Sequence, residues 1–287
     1  MRHKYTKALV TLSATLLLLS TPAFAQKKNS DFQNIGIRDI NAGGIRMALP
    51  DLDAEIAMGR QAASELERNV TLVQDPVVAE YVNRVGQTIV RNSDAKVPFV
   101  FRVVDSDEIN SISLPGGFVF VNKGLILACD SEAELASIIA HGVAQVAARH
   151  AVEQQQKAAL IDIAAIPLQT FGGGIPGMIT QQAATLGVPI TFLAFNRKAE
   201  EEADFLGLQY LYKAGYDPTA MVSFFEKVQV REAAGAKVSV LFASHPQTEE
   251  RKKMTQQDIA TYFPVRAVTA VPPAEFEGVK ARLANRN

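Results

Sequence analysis

Two histidines one helical turn apart, with a glutamate beside the first, can grip zinc and activate a water bound to it. The stretch Glu134 to His150, ELASIIAHGVAQVAARH, has the outline of such a helix but lacks two of its reactive groups. His141 stands at the first ligand position, Gly142 at the general-base position and Gln145 at the second ligand position. Positions 141 and 145 of a helix lie about 40° apart and project in one direction, so ligands at that spacing converge on one ion. His150 is about half a turn out of phase with His141 and faces away, which makes it a surface or second-layer residue rather than a substitute ligand.

The chemical consequences differ in size. A positioned proton acceptor contributes roughly 10²–10⁴ in rate, and Gly142 has no side chain to act as one. Gln145 offers a neutral amide oxygen, a poor donor to Zn²⁺ beside an imidazole. Tight zinc sites draw ~10–16 kcal/mol from about four ligands, so losing one weakens binding by about two orders of magnitude or more. The chain has four histidines, and His3 precedes the apolar run that opens it. Any His-ligated metal further along must draw on His141, His150 and His245.

The elements that would carry these residues can be read from pattern. Asp51 to Asn69 has helical spacing through Ile56, Met58, Ala62 and Leu66, with Asp51 placed to cap it. A second helix starts at Gln74-Asp75-Pro76 and runs through Tyr81, Val82, Val85 and Ile89. Val97 to Val104 and Gly117 to Val121 carry the bias of strands, with a Leu114-Pro115-Gly116-Gly117 turn before the second, and predict a small sheet. Ser131 and Glu134 form a capping box that opens a helix expected to run to about Gln156, its apolar positions burying it deeply. Ala158 to Phe195 is apolar but broken by Pro167, Gly172-Gly173-Gly174 and Pro176, which predicts a helical hairpin with a mobile middle. A helix from Lys198 to Ala214 carries Glu200, Glu201, Glu202 and Asp204 near its start.

Residues 1–25 have the form of a secretory leader: Arg2, Lys4 and Lys7 precede the run Ala8 to Leu19, and Ala23-Phe24-Ala25 offers a cleavage site. The expected location is therefore periplasmic or secreted. Loss of that leader takes the formal charge from −1 to −4, which argues against a nucleic-acid partner. Membrane association is left open, with nothing to indicate it. Residues 26–50 are polar and weakly patterned and predict a flexible lead-in, leaving 51–287 as the domain. Cys129 has no second cysteine to pair with and reads as a small buried apolar residue.

From Glu55 to Leu283 the chain resembles metallopeptidase family forty-eight, the HtpX/BepA-type zinc peptidases, whose helix reads E-L-A-x-x-x-A-H-E-x-x-H-x-x-A-R-H. The match stands at Glu134, Leu135, Ala136, Ala140, His141, Ala148, Arg149 and His150, and fails at Gly142 and Gln145. Asn196 to Asp204 resembles the family's S-R-x-x-E-x-E-A-D helix, and Ser244-His245-Pro246 with Glu250-Arg251 resembles its S-H-P…E-R segment. The resemblance implies an α+β, zincin-like fold, mostly helical, with a small sheet and a buried active-site helix. It implies zinc as the family's cofactor, Glu200 as third ligand, His245 near the metal, and Asp204 and Arg251 behind them. It also implies that Gly116, Gly117, Phe118 and Val119 belong to an edge strand along which extended or unfolded polypeptides lie.

Three readings follow. In the first, the chain is a catalytically degenerate family member with zinc absent or weakly bound, which keeps a peptide cleft and a binding or chaperone-like quality-control role. In the second it is an active or weakly active zinc endopeptidase using His141, Glu200 and His245. In the third it is a structural protein with a residual cleft.

Overall fold

Helix starts follow from local chemistry. Asp51 accepts the Ala54 N–H and opens α1 (Leu52–Asn69), while Asp75 accepts from Val77 and Val78 and opens α2 (Pro76–Arg91) with Pro76 at the first position. In this computed structural model residues 29–163, 187, 196–234, 249–264 and 273–285 are described. The leader, most of the segment 158–195 and His245 lie outside the described residues.

Three strands follow α2: β1 (Val100–Val104), β2 (Ser111–Leu114) and β3 (Phe118–Asn122). Their order is β1-β3-β2, with β1 parallel and β2 antiparallel to β3. Phe118 and Val119 are thus in the central strand, paired with Val100 and Phe101 on one side and with Leu114 and Ser113 on the other. The expectation that they form an edge strand is corrected. Gly116 and Gly117 belong to the buried turn before β3, at φ 69° and 95°, where a side chain would meet Ile56 of α1 and the Pro98 carbonyl. The edge beside the histidine helix is β2. Its Ser-Ile-Ser-Leu pattern is short and half polar, so a reading based on β-branched and aromatic bias passes over it.

After α3 (Lys123–Ala128) comes α4 (Glu132–Ala147), the buried spine. Ser131 accepts the Glu134 N–H, and the Glu134 carboxylate reaches back to the Asp130 N–H. Around α4 pack α2, β2, α6 (Arg197–Lys213) and α7 (Thr219–Ala233). Helices α8 (Glu249–Tyr262) and α9 (Pro273–Ala284) complete the α+β architecture, α8 against α6 and α7, α9 against α2 and α3.

The single helix expected to reach Gln156 is two. It stops after Ala147, Arg149 adopts φ +59°, and α5 begins at His150 and runs to Ile163. A positive φ is unfavourable for a residue with a Cβ. Here it is held by tertiary bonds, since Arg149 donates from Nε to Glu55 at 2.6 Å and from a terminal nitrogen to the Pro50 carbonyl at 2.5 Å. His150 is correspondingly not on the surface: it is 1% exposed, with Nε2 3.0 Å from Glu202.

A further correction concerns residues 31–50, which are docked rather than a flexible lead-in. Ile35 and Ile40 join the core, and Arg38 bonds buried Asp94 through Nε at 3.0 Å and a terminal nitrogen at 2.7 Å. Asp94 also accepts from the Gly36 N–H and the Tyr210 hydroxyl. Asn41 caps the last turn of α4 at the Ala147 carbonyl, and Arg46 bridges Glu153 of α5 and Glu202 of α6. The anchors are polar residues whose partners are distant in sequence, so local composition conceals them. The domain therefore begins near Asp31.

Two outcomes follow. Arg38→Met strands a buried carboxylate and is expected to lower stability by about 3–5 kcal/mol in a denaturant titration. Burial pushes the Glu202 carboxyl up, but bonds from His150 and Arg46 and the Arg46 charge outweigh it, lowering its pKa to about 2. A depressed carboxyl stabilises the fold fully above its ordinary value of 4.5 and loses that contribution as pH falls through 2. Thermal melts between those pH values should fall less steeply in Arg46→Met than in the parent.

Candidate functional site

The histidine helix and the acidic helix meet at a glycine. Gly207 of α6 lies against the backbone of α4, where an added Cβ would come within 3.2 Å of the His141 Cα and N. That close approach brings Glu200 and Asp204, about two turns and one turn earlier on α6, up to the His141 ring. Asn196 fixes the start of α6 by accepting the Ala199 N–H at 3.0 Å.

The His141 ring is held on both sides. Nδ1 lies 2.9 Å from Asp204 Oδ1, and Nε2 lies 3.0 Å from the Gln145 amide nitrogen and 3.6 Å from Glu200 Oε2. The same amide nitrogen donates to Glu200 Oε1 at 3.3 Å. An NH₂ facing an imidazole nitrogen and a carboxylate serves as donor to both, which assigns the His141 proton to Nδ1, directed at Asp204. A carboxylate behind Nδ1 is the arrangement that orients a metal-binding histidine.

Arg251 of α8 supplies the charge at the centre of this cluster. It is 4% exposed and donates to Asp204 at 2.8 and 2.7 Å, with Glu200 Oε2 at 3.0 Å from a third nitrogen. Its guanidinium lies 5.3 Å from the centre of the Phe225 ring. Burial pushes Asp204 up, yet the Arg251 charge and the bonds from His141 and Arg251 more than offset this and hold its carboxyl below the usual aspartate value. The structure thus brings together His141, Gln145, Glu200, Asp204 and Arg251 and sets His150 apart, paired with Glu202.

Three contributors escaped the sequence reading. Ser113 of β2 aims its hydroxyl at Gly142: a Cβ built there would lie 2.4 Å from Ser113 Oγ. Gly207 sets the distance between the helices; an isolated glycine inside a helical pattern was its signal. Glu55, 1% exposed, holds Arg149 and accepts the Gly116 N–H at 3.3 Å. It falls in the buried stripe Glu55, Gly59, Ala62, Leu66 of α1, a placement a charged residue takes only with a partner.

Known proteins corroborate this architecture. Residues 76–257 match the model of peptidase family M48. The chain belongs to that family, a zinc metallopeptidase family. It is 31% identical to the "Beta-barrel assembly-enhancing protease" of Yersinia pestis over 70% of this chain and 43% of that one. It is 29% identical to the "Putative beta-barrel assembly-enhancing protease" of Vibrio cholerae over 92% of this chain and 54% of that one. A mitochondrial metalloendopeptidase OMA1 of Schizosaccharomyces pombe is 29% identical over 62% of this chain and 52% of its own. The chain thus spans about half the length of these relatives.

The donor set among the described residues does not fit the family's zinc. Of the helical ligands that the resemblance implies, His141 and Glu200 are present, and no group of three or more His, Cys, Asp or Glu that could hold a metal ion occurs among the described residues. Beside both, Gln145 directs its amide nitrogen at the pair, and the oxygen it could offer in its place is a poor donor to Zn²⁺.

The Ser113 hydroxyl can swing away from position 142, so Gly142→Ala should fold. Alanine gains about 1 kcal/mol over glycine in a helix interior. In the parent that gain is offset by displacing Ser113; in a Ser113→Gly background it should appear in full. A double-mutant cycle read by urea unfolding checks the difference.

Proposed function

We propose that this protein is an exported, catalytically degenerate member of its peptidase family that captures extended or unfolded polypeptide without cutting it efficiently. The observation that carries the reading is the Gln145 amide nitrogen between His141 and Glu200, 3.0 and 3.3 Å away. Gly142 removes the proton acceptor next to it, and the Ser113 hydroxyl occupies the adjacent space. Each change alone lowers turnover; together they remove both the ion's second helical ligand and the base.

Capture needs neither. The outer edge of β2 pairs with no strand among the described residues, and it runs beside α4. An extended segment can add to such an edge through main-chain bonds, with its side chains alternating between the two faces. The leader-like residues 1–25 support action outside the cytoplasm. The names of the bacterial relatives concern β-barrel assembly, so unfolded envelope polypeptides are a reasonable class of client.

A second reading keeps a weak zinc endopeptidase on His141, Glu200 and His245. It draws support from the Asp204 bond that still orients the His141 ring. The two readings separate on purified protein. The first expects well under one zinc per chain by atomic spectroscopy and no chelator-sensitive cleavage of casein. It also expects Gly142→Glu with Gln145→His to raise zinc content to near one per chain. Chelator-sensitive cleavage by the unaltered protein would overturn the first reading.

A further inference from the structure

A groove of about 340 Å³ opens between α2 and α9, and none of the residues lining it belongs to the site around His141. The two helices run antiparallel there: Arg84 meets Glu275 near the start of α9 at 2.5 Å, and Asp75 at the start of α2 meets Arg282 at 3.1 Å. From Asp75 to Arg84 the groove follows about 14 Å of helix. Its base is firmly held. Tyr81 stacks on Phe276 with ring centres 6.1 Å apart, and its hydroxyl donates to buried Glu132 at 2.5 Å. Val77, 45% exposed, and Ala274 add apolar surface. Gly278 stands inside α9, where a Cβ would meet nothing within 4 Å, so the fold itself gives no reason for a residue that weakens a helix relative to alanine.

Charge across the groove is unbalanced. Arg84 faces two carboxylates, Glu275 at 2.5 Å and Glu132 at 4.0 Å, while Arg282 is matched by Asp75 alone. Glu80, exposed on the wall one turn before Arg84, has no partner among the described residues. Four carboxylates therefore meet two guanidiniums, an excess of two negative charges. Lys280, the other cation near this stretch of α9, bonds the Cys129 carbonyl and does not line the groove.

We propose that this groove docks an amphipathic helix of a partner polypeptide, with a small-residue face against Gly278 and a lysine or arginine directed at Glu80. The inference goes beyond the capture reading and uses none of its residues. Both walls are helices whose backbone groups are bonded internally, so an extended segment would find no main-chain partners there, whereas a helix arrives with its own bonds made. Close approach follows from the bare surface at Gly278, since a helix that meets no side chain settles deeper between its neighbours. The positive residue follows from the charge excess, which favours a cation and disfavours an anion.

The test uses the purified chain and three fluorescent peptides: an alanine–glutamine helix with lysines along one face, the same helix with glutamates in their place, and the lysine peptide interrupted by two central prolines. Anisotropy titrations should show the lysine helix binding about fivefold more tightly than the glutamate helix, the scale of one ion pair, and no binding of the interrupted peptide. Glu80→Lys should reverse the order of the two helices. Gly278→Leu should weaken the lysine helix by about tenfold or more, because its side chain fills the space the helix needs. Both positions are exposed, and Gly278→Leu should raise the melting temperature, which confirms that this variant folds. Equal affinity for the two helices overturns the inference, as does undiminished binding to Gly278→Leu. An interrupted peptide that binds as well as the intact one points to capture of extended chain and overturns helix docking. Absence of binding by any of the three up to millimolar concentration overturns it as well.

Discussion

The structure turns on how near α6 comes to α4. A glycine at 207 lets the backbone of one helix meet the backbone of the other at His141, and every charged contact of the site depends on that separation. A Cβ at 207 would press the helices apart and stretch both the 2.9 Å contact of Asp204 with the His141 ring and the 3.3 Å bond from the Gln145 amide to Glu200. The polar cluster is then both consequence and lock. Once Arg251 reaches two buried carboxylates, pulling the helices apart would expose three charges to a poorly solvated gap, which is strongly unfavourable.

Residues 31–50 reinforce that contact from the opposite side. Arg38 ties the end of α2 to α6 through Asp94 and Gln209, and Arg46 ties α5 to α6 through Glu153 and Glu202. The helix bearing Glu200 and Asp204 is thus held along both its faces by buried arginines that originate in different parts of the chain. Such a scaffold is held by contacts among this chain's own side chains, with Gly142 and Gln145 standing where the family's motif has Glu and His.

Much of this was legible beforehand. Helix starts at Asp51, Asp75 and Ser131 rest on side chains that bond their own neighbours, so local pattern suffices to find them, whereas α6 opens at Arg197, capped by Asn196, one residue before the expected Lys198. The association of His141 with Glu200, Asp204 and Arg251 was readable from the family resemblance. What pattern could not give was anything decided by a distant partner. The break at Arg149 depends on Glu55, the docking of residues 31–50 depends on Asp94 and Glu202, and the rank of a strand within its sheet depends on which neighbours arrive. Ser-Ile-Ser-Leu looks like loop until β3 pairs with it.

The brevity of β2 has a consequence of its own. Long, flat, unpaired edges invite strand after strand and seed aggregates. An edge of four residues, hemmed by a helix, offers only a few main-chain bonds, each worth about 1 kcal/mol net. A segment that settles there gains too little to stay for long and presents too short a template for a third chain to extend. Under the proposed capture of unfolded chains, an edge of that length limits contact to short-lived encounters that do not seed a deposit.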